Sequence, residues 1–255
     1  MEYVKRIAQS EDRKQAIEEI LIEMGAKFSV QSFEETENLV LSFGAGEKRL
    51  VIGAHWDAEE GSCGGNDNAS GCAVLLHTIK ALLSQKELQN RVDFVFFGAE
   101  ELGGIGATRY IESVGRENIA AMVNFDMCGY GDTILINDKG NRASPLFGGL
   151  MAESLLKQHK VLLPGFLPEG DDYIFALQKI PSISVCVADQ AAAAFFAAFG
   201  KKLAAEEPVT EEDQAAFVSL GVVKTMHGGE LDDIAYISSE AIKMTAAYLF
   251  DGLME

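Results

Sequence analysis

Six short apolar runs limit what this chain can fold into more than any other feature. They are NLVLSF (38–43), RLVIGAH (49–55), RVDFVFFG (91–98), AAMVNFD (120–126), TILIN (133–137) and SISVCV (182–187). Each is too short for a buried helix and rich in Val, Ile, Leu or Phe, so each reads as a buried strand. Helical patterns lie between most of them, at 67–83, 105–114, 145–158 and 171–178, and a last helix is expected over 238–252. The opening MEYVKRIAQSEDRKQAIEEILIEMG sets Ile7, Ala16, Ile20 and Leu21 at roughly helical spacing, and reads as one amphipathic helix ending at Gly25. Strands alternating with helices predict an α/β fold: a central, largely parallel, twisted sheet covered by helices on both faces.

A length of 255 residues suits one such domain, 1–255, and no linker divides it. The alanine-rich segment 191–217 breaks the alternation and reads as a helical insertion of the kind that forms a cap. A formal net charge of -18 would repel phosphate backbones and anionic lipid, which disfavours nucleic-acid and membrane-surface partners. No run approaches the ~20 apolar residues needed to cross a bilayer. The N-terminus lacks the apolar core and cleavage site of a signal peptide, so a cytoplasmic location is expected. Cys63, Cys72, Cys128 and Cys186 are scattered without a CxxC pair, which argues for reduced thiols rather than a disulfide framework or thiolate zinc. Nothing in the pattern specifies an oligomeric state.

In sheets of this kind, ligands bind beyond the carboxyl ends of the strands. At VIGAHWDAEEG a strand runs out into His55 and Asp57, which face the same side and would pair a carboxylate with an imidazole. The plain alternative is a satisfied histidine at a strand end. In GGNDNASG (64–71), Asp67 stands where a helix should start. It could serve as an N-cap, or its two oxygens could bridge two cations. Glu100 and Glu101 follow a very apolar strand, and two adjacent carboxylates there are costly unless a cation compensates. Neighbouring residues point different ways, so one can ligate a metal while the other faces a water; an acidic surface turn is the alternative. Asp126 ends another strand, and His227 precedes two glycines. His77 reads as structural and His159 as a solvated helix end. Together, His55, Asp67, Glu101, Asp126 and His227 offer the nitrogen and oxygen donors that suit two zinc ions, and cobalt or manganese would fit them too.

The ordered series HxD, GxNDNASG, GAEE after a strand, NFD after the next and a late His resembles the zinc aminopeptidase family. That family includes bacterial leucyl aminopeptidases, glutamate carboxypeptidase II and, as a divergent branch, the glutaminyl cyclases. The resemblance covers most of the chain and implies the family's three-layer fold. It implies that Asp67 bridges two zinc ions, that His55 and Asp126 complete one site, and that Glu101 and His227 complete the other. It makes Asp57 the residue that orients His55, and Glu100 the general base. The implied reaction is hydrolysis of the N-terminal bond of a peptide, or of a small amide, by a water shared between the two ions.

PEGDDYIFALQKIPSISV resembles the family's SDHxxFxxxGIP segment, with Asp172 in place of its His, and this points Asp171 or Asp172 towards a substrate group. Two positions depart from the pattern. Asp232 lies five residues after His227 instead of four, and Met226 stands where some relatives carry an oxyanion-steadying Tyr, leaving Tyr173 as a candidate donor. The nearest rival is a glutaminyl cyclase-like acyltransferase with one zinc. Those relatives tend to lose the first histidine, so His55 with Asp57 favours two metals and hydrolysis. A non-catalytic binding domain of the same fold is disfavoured because no ligand is missing.

Overall fold

The computed structural model describes residues 1–85, 88 and 90–255. One sheet contains the strands β1 (Ser29–Ser32), β2 (Glu37–Phe43), β3 (Arg49–His55), β4 (Arg91–Phe97), β5 (Ile119–Phe125), β6 (Thr133–Asn137) and β7 (Ser182–Ala188), in the order β1-β2-β4-β3-β5-β7-β6. The central β4, β3, β5 and β7 are parallel, whereas β2, β1 and β6 each join antiparallel to their neighbour. The parallel part is built from the strands buried nearly throughout, as two covered faces require. Strand β1, SVQS, was not legible as a strand. It is mostly exposed and pairs at the sheet edge with β2 alone, so it carries no apolar signal.

The helices are α1 (Glu2–Ala8), α2 (Arg13–Glu23), α3 (Gly71–Leu82), α4 (Ile105–Val114), α5 (Glu153–Gln158), α6 (Asp171–Leu177), α7 (Gln190–Ala204), α8 (Glu211–Ser219) and α9 (Ser239–Met254). Strand periodicity sorts the core into two faces. Ile52, Phe94, Phe96, Val123 and Ile183 point to one side and pack with Ile7, Ile17, Leu75, Leu155 and Ile242 from α1, α2, α3, α5 and α9. Val51, Val95, Phe97 and Met122 point to the other and meet Tyr110 of α4 and Phe175 of α6. Further along that second face, Leu135 and Cys186 lie beneath Ala192 and Phe196 of α7. Among the described residues, no helix is long and apolar enough to cross a membrane.

Three expected helices differ in detail. The N-terminal one is broken in two, because the Asp12 side chain caps a fresh start by accepting the Gln15 amide at 2.8 Å. The segment 145–158 begins as a 3-10 stretch kinked at Gly148 (φ +52°), and the extended Ala152 separates it from α5. The stretch 67–83 becomes regular only at Gly71. Asp67 is therefore not an N-cap: at φ -107°, ψ 85°, and followed by a cis peptide to Asn68, it sits in the turn that leads into α3. Segment 191–217 is helical as expected and supplies α7 and α8, with Thr210 and Asp213 forming a capping box at the start of α8.

Because the four central strands run the same way, their carboxyl ends share one edge. His55 closes β3, Glu100 and Glu101 follow β4, and Asp126 follows β5. Phe97 fixes the second-face packing below them, with ring centroids 5.8 Å from Tyr110 and 6.0 Å from Phe175. Phe97→Ala is expected to cost about 3–5 kcal/mol of unfolding free energy, measured from denaturant midpoints. A loss below about 1 kcal/mol would contradict this packing.

Candidate metal centre

His55 is 1% exposed. Its Nε2 lies 3.2 Å from Asp67 Oδ1 and 3.6 Å from Asp126 Oδ1, and its Nδ1 lies 3.5 Å from Asp57 Oδ1. Among the described residues, neither ring nitrogen nor Asp126 Oδ1 has a hydrogen-bond partner of good geometry. Buried polar atoms of this kind ordinarily have partners, so the group is arranged for something other than mutual hydrogen bonding. Asp57 turns its carboxylate onto the backbone of the next strand's turn, accepting the amides of Glu100 and Glu101 at 3.1 Å each. It thereby joins the end of β3 to the end of β4.

The two glutamates diverge. Glu101 Oε2 lies 2.9 Å from His227 Nδ1, and its Oε1 accepts the Glu59 amide at 3.1 Å. Glu100 faces Asp126 instead: a methyl group built on Gly170 would stand 3.7 Å from Glu100 Oε1 and 3.0 Å from Asp126 Oδ2. The backbone amide of His227, a residue at φ +46°, donates to Asp67 Oδ2 at 2.8 Å. All five expected ligands are thus brought together. His55, Asp67 and Glu101 offer atoms within 4.8 Å of one another, and Glu59, Glu101 and His227 form a second such group. Nitrogen and carboxylate oxygen donors, several buried and unpartnered, fit divalent zinc.

The loops around the centre are tied by groups to which the motif reading assigned no such contact. Asp232 is buried and accepts the amides of Asn66 and Asp67 at 2.8 and 3.1 Å and the Ser62 hydroxyl at 2.6 Å, so its shifted spacing still places it under the metal-facing turn. Asn66 accepts from the Gly129 amide and donates to Thr225 Oγ1, both at 2.7 Å. The Arg13 guanidinium donates to the carbonyls of Trp56, Asp57, Cys63 and Gly64 at 3.3, 3.0, 3.0 and 2.6 Å. A signal existed: Arg13 falls on the same side of α2 as the buried Ile17, Ile20 and Leu21, an unusual place for a cation.

Asp171 is fully buried beside Glu100, with both carboxylate oxygens lacking a hydrogen-bond partner among the described residues. Asp172 is equally buried but forms an ion pair with Lys139, so it is not free to meet a substrate group directly. Tyr173 is 40% exposed on α6. His77 packs on Tyr3, in keeping with a structural role. His159 is not simply solvated: its Nε2 lies 2.9 Å from Asp251, and its ring packs edge-on against Tyr248 because α9 passes beside it. The four cysteines are free.

Burial, reinforced by Asp126, Asp67 and Glu101, pushes the Glu100 carboxyl up to about 7, against the opposing pull of His55. Burial also raises Glu101, Asp126 and Asp171. Burial alone would lower His55, but Asp126, Asp57 and Asp67 outweigh it and the imidazole rises; Glu101 and Asp67 do the same for His227. Every one of these groups holds its proton to higher pH in the fold than in the unfolded chain. The folded state therefore binds more protons, and stability falls as pH rises. For Glu100 the window runs from 4.5 to about 7. Chelator-treated protein is expected to melt at a lower temperature at pH 8 than at pH 6, and added zinc to raise the melting temperature more at pH 8, since metal competes with protons for these donors. Equal or higher stability of the chelated protein at pH 8 would contradict this charge balance.

Comparison with known proteins agrees with the geometry. Residues 38–248 match Peptidase family M28. The "Probable lipoprotein aminopeptidase LpqL" of Mycobacterium tuberculosis is 36% identical over 123 residues, covering 46% of this chain and 24% of that protein. The chain spans about a sixth to a third of the length of the curated relatives it matches. Among solved structures, BSAP, a zinc aminopeptidase from Bacillus subtilis, superposes with a TM-score of 0.60 at 20% identity, covering 85% of this chain and 50% of that one. Porphyromonas gingivalis glutaminyl cyclase superposes with a TM-score of 0.71 at 17% identity, covering 99% of this chain and 96% of that one. The match extends over most of the chain and takes in His55, Asp67, Glu101, Asp126 and His227, so this chain belongs to peptidase family M28.

Proposed function

We propose that this chain is a zinc-dependent aminopeptidase that hydrolyses the N-terminal bond of peptides. The observation that carries the reading is the convergence of His55, Asp67, Asp126, Glu101 and His227 at one sheet edge, with the carboxyl of Glu100 beside Gly170 and near Asp126. Two zinc ions are proposed: Asp67 shared, His55 and Asp126 on the buried side, Glu101 and His227 on the exposed side. Zinc bound there would supply a Lewis acid that polarises the scissile carbonyl and makes a water acidic enough to be a nucleophile at neutral pH. The chain's own residues do the rest. Asp57 holds the Glu100 and Glu101 amides and so sets where both carboxylates point. Glu100, with a carboxyl pushed up to about 7, can take the proton of the attacking water and return it to the leaving amine; a cation beside it would draw that value down. The surplus of carboxylates around the site makes a substrate's free α-ammonium welcome, which is the basis of exopeptidase selectivity.

Glu100→Gln is expected to bind zinc as the native chain does and to lose about 10²–10⁴-fold in kcat on aminoacyl-p-nitroanilides; full activity in that variant would remove Glu100 as the base. Chelation is expected to abolish hydrolysis and added zinc to restore it. Zinc binding with no hydrolysis but with cyclisation of N-terminal glutamine would transfer the assignment to acyl transfer.

A further inference from the structure

We propose that Glu59 is a further ligand of the exposed metal site, joining Glu101 and His227; this rests on the zinc reading above. Glu59 lies in the loop between β3 and the Asn66–Asp67 turn, within the run VIGAHWDAEEG but outside its HxD motif, and the sequence alone gives it no role. Its carboxylate offers an oxygen within 4.8 Å of ligand atoms of both Glu101 and His227, and those two are themselves 2.9 Å apart. A tetrahedral zinc site with bonds of about 2.0–2.2 Å spaces its donors by roughly 3.3–3.6 Å, so a small side-chain movement brings all three onto one ion. The donors able to move are the exposed ones: Glu59 is exposed, and the His227 side chain is 62% exposed, while that of Glu101 is 5% exposed.

The backbone around Glu59 is held in place. Its amide donates to Glu101 Oε1 at 3.1 Å, its carbonyl accepts the Ser62 amide at 3.0 Å, and Arg13 bonds carbonyls on both sides of it, at Asp57 and Cys63. The side chain is thus presented to Glu101 by a tied loop and not by a free surface turn. Glu101 also belongs to the inner group with Asp67 and His55, whose fully buried Nε2 has no hydrogen-bond partner among the described residues. The two groups therefore form one continuous donor array, and Glu59 is its solvent-facing end. The outer ion would be held through two exposed donors, Glu59 and His227, besides the buried side chains of Glu101 and the shared Asp67, so the proposal makes the outer site the weaker of the two and the first to exchange.

The test is zinc titration of the chelator-stripped full chain against a chromogenic chelator, which reads stoichiometry and both dissociation constants without any assay of activity. Native protein is compared with Glu59→Gln, Glu59→Ala and the neighbouring control Glu60→Gln, with melting temperatures of the stripped proteins as a check on folding. Two ions are expected in the native chain. Both Glu59 variants should weaken the weaker ion by about tenfold or more and leave the tighter one unchanged, and Glu60→Gln should change neither. If Glu59→Gln and Glu59→Ala keep both affinities within about twofold of native, the ligand assignment is overturned. A raised KM for free-amine substrates alongside unchanged zinc affinity would then make Glu59 an amine receptor instead. If the native chain itself binds no zinc, the metal reading and the Glu59 assignment are overturned together.

Discussion

Like-charge repulsion at the carboxyl ends of the central strands is the constraint around which this structure is built. Asp57, Asp67, Glu100, Glu101, Asp126 and Asp171 crowd one edge of the sheet, and burial raises most of them further. A fold that gathers such groups gives up stability above neutral pH unless cations accompany them. The hydrophobic faces beneath, from Ile52 and Phe96 on one side to Phe97 and Tyr110 on the other, supply the packing that tolerates this concentration.

Tolerating the charge is not enough, because ligands must also be aimed. The aiming is done by backbone hydrogen bonds from residues that would not themselves touch a metal. Asp57 links the β3 and β4 ends, Asp232 holds the Asn66–Asp67 turn, and Arg13 gathers four carbonyls of the loop between them. His227 is brought in through its own amide, which meets Asp67. Outer partners of this sort commonly affect metal affinity nearly as much as the ligands do. In this chain they also explain why a loop histidine, largely exposed, still falls beside a buried glutamate.

Segment 191–217 illustrates a different balance. Its alanines and phenylalanines could have formed a free-standing arm. Instead Ala192, Ala193 and Phe196 of α7 cover the second face where β6 and β7 leave it bare, and Phe195 and Phe217 close over them. The helices thus complete the sheet's covering at the end beyond α4 and α6, next to Met127 and Met226, which adjoin two of the proposed ligands.

Local sequence determined the central strands, the order of helices between them and all five proposed ligands, because buried parallel strands read as unbroken apolar runs and their ends show where polar chemistry begins. It was silent where the signal is not local. Strand β1 has no apolar face, and the break after α1 depends on one capping aspartate. The partner of Asp172 is Lys139, 33 positions earlier in the chain and outside any local pattern. Arg13, Asp232 and Glu59 gain their roles only from residues distant in the chain, through hydrogen bonds or proximity that no periodicity encodes. Which residues meet at the site was therefore written in the sequence. Their grouping, and the choice of which carboxylate faces which partner, was decided by the tertiary structure, because those follow from distances set when three strand ends and the loops beside them meet.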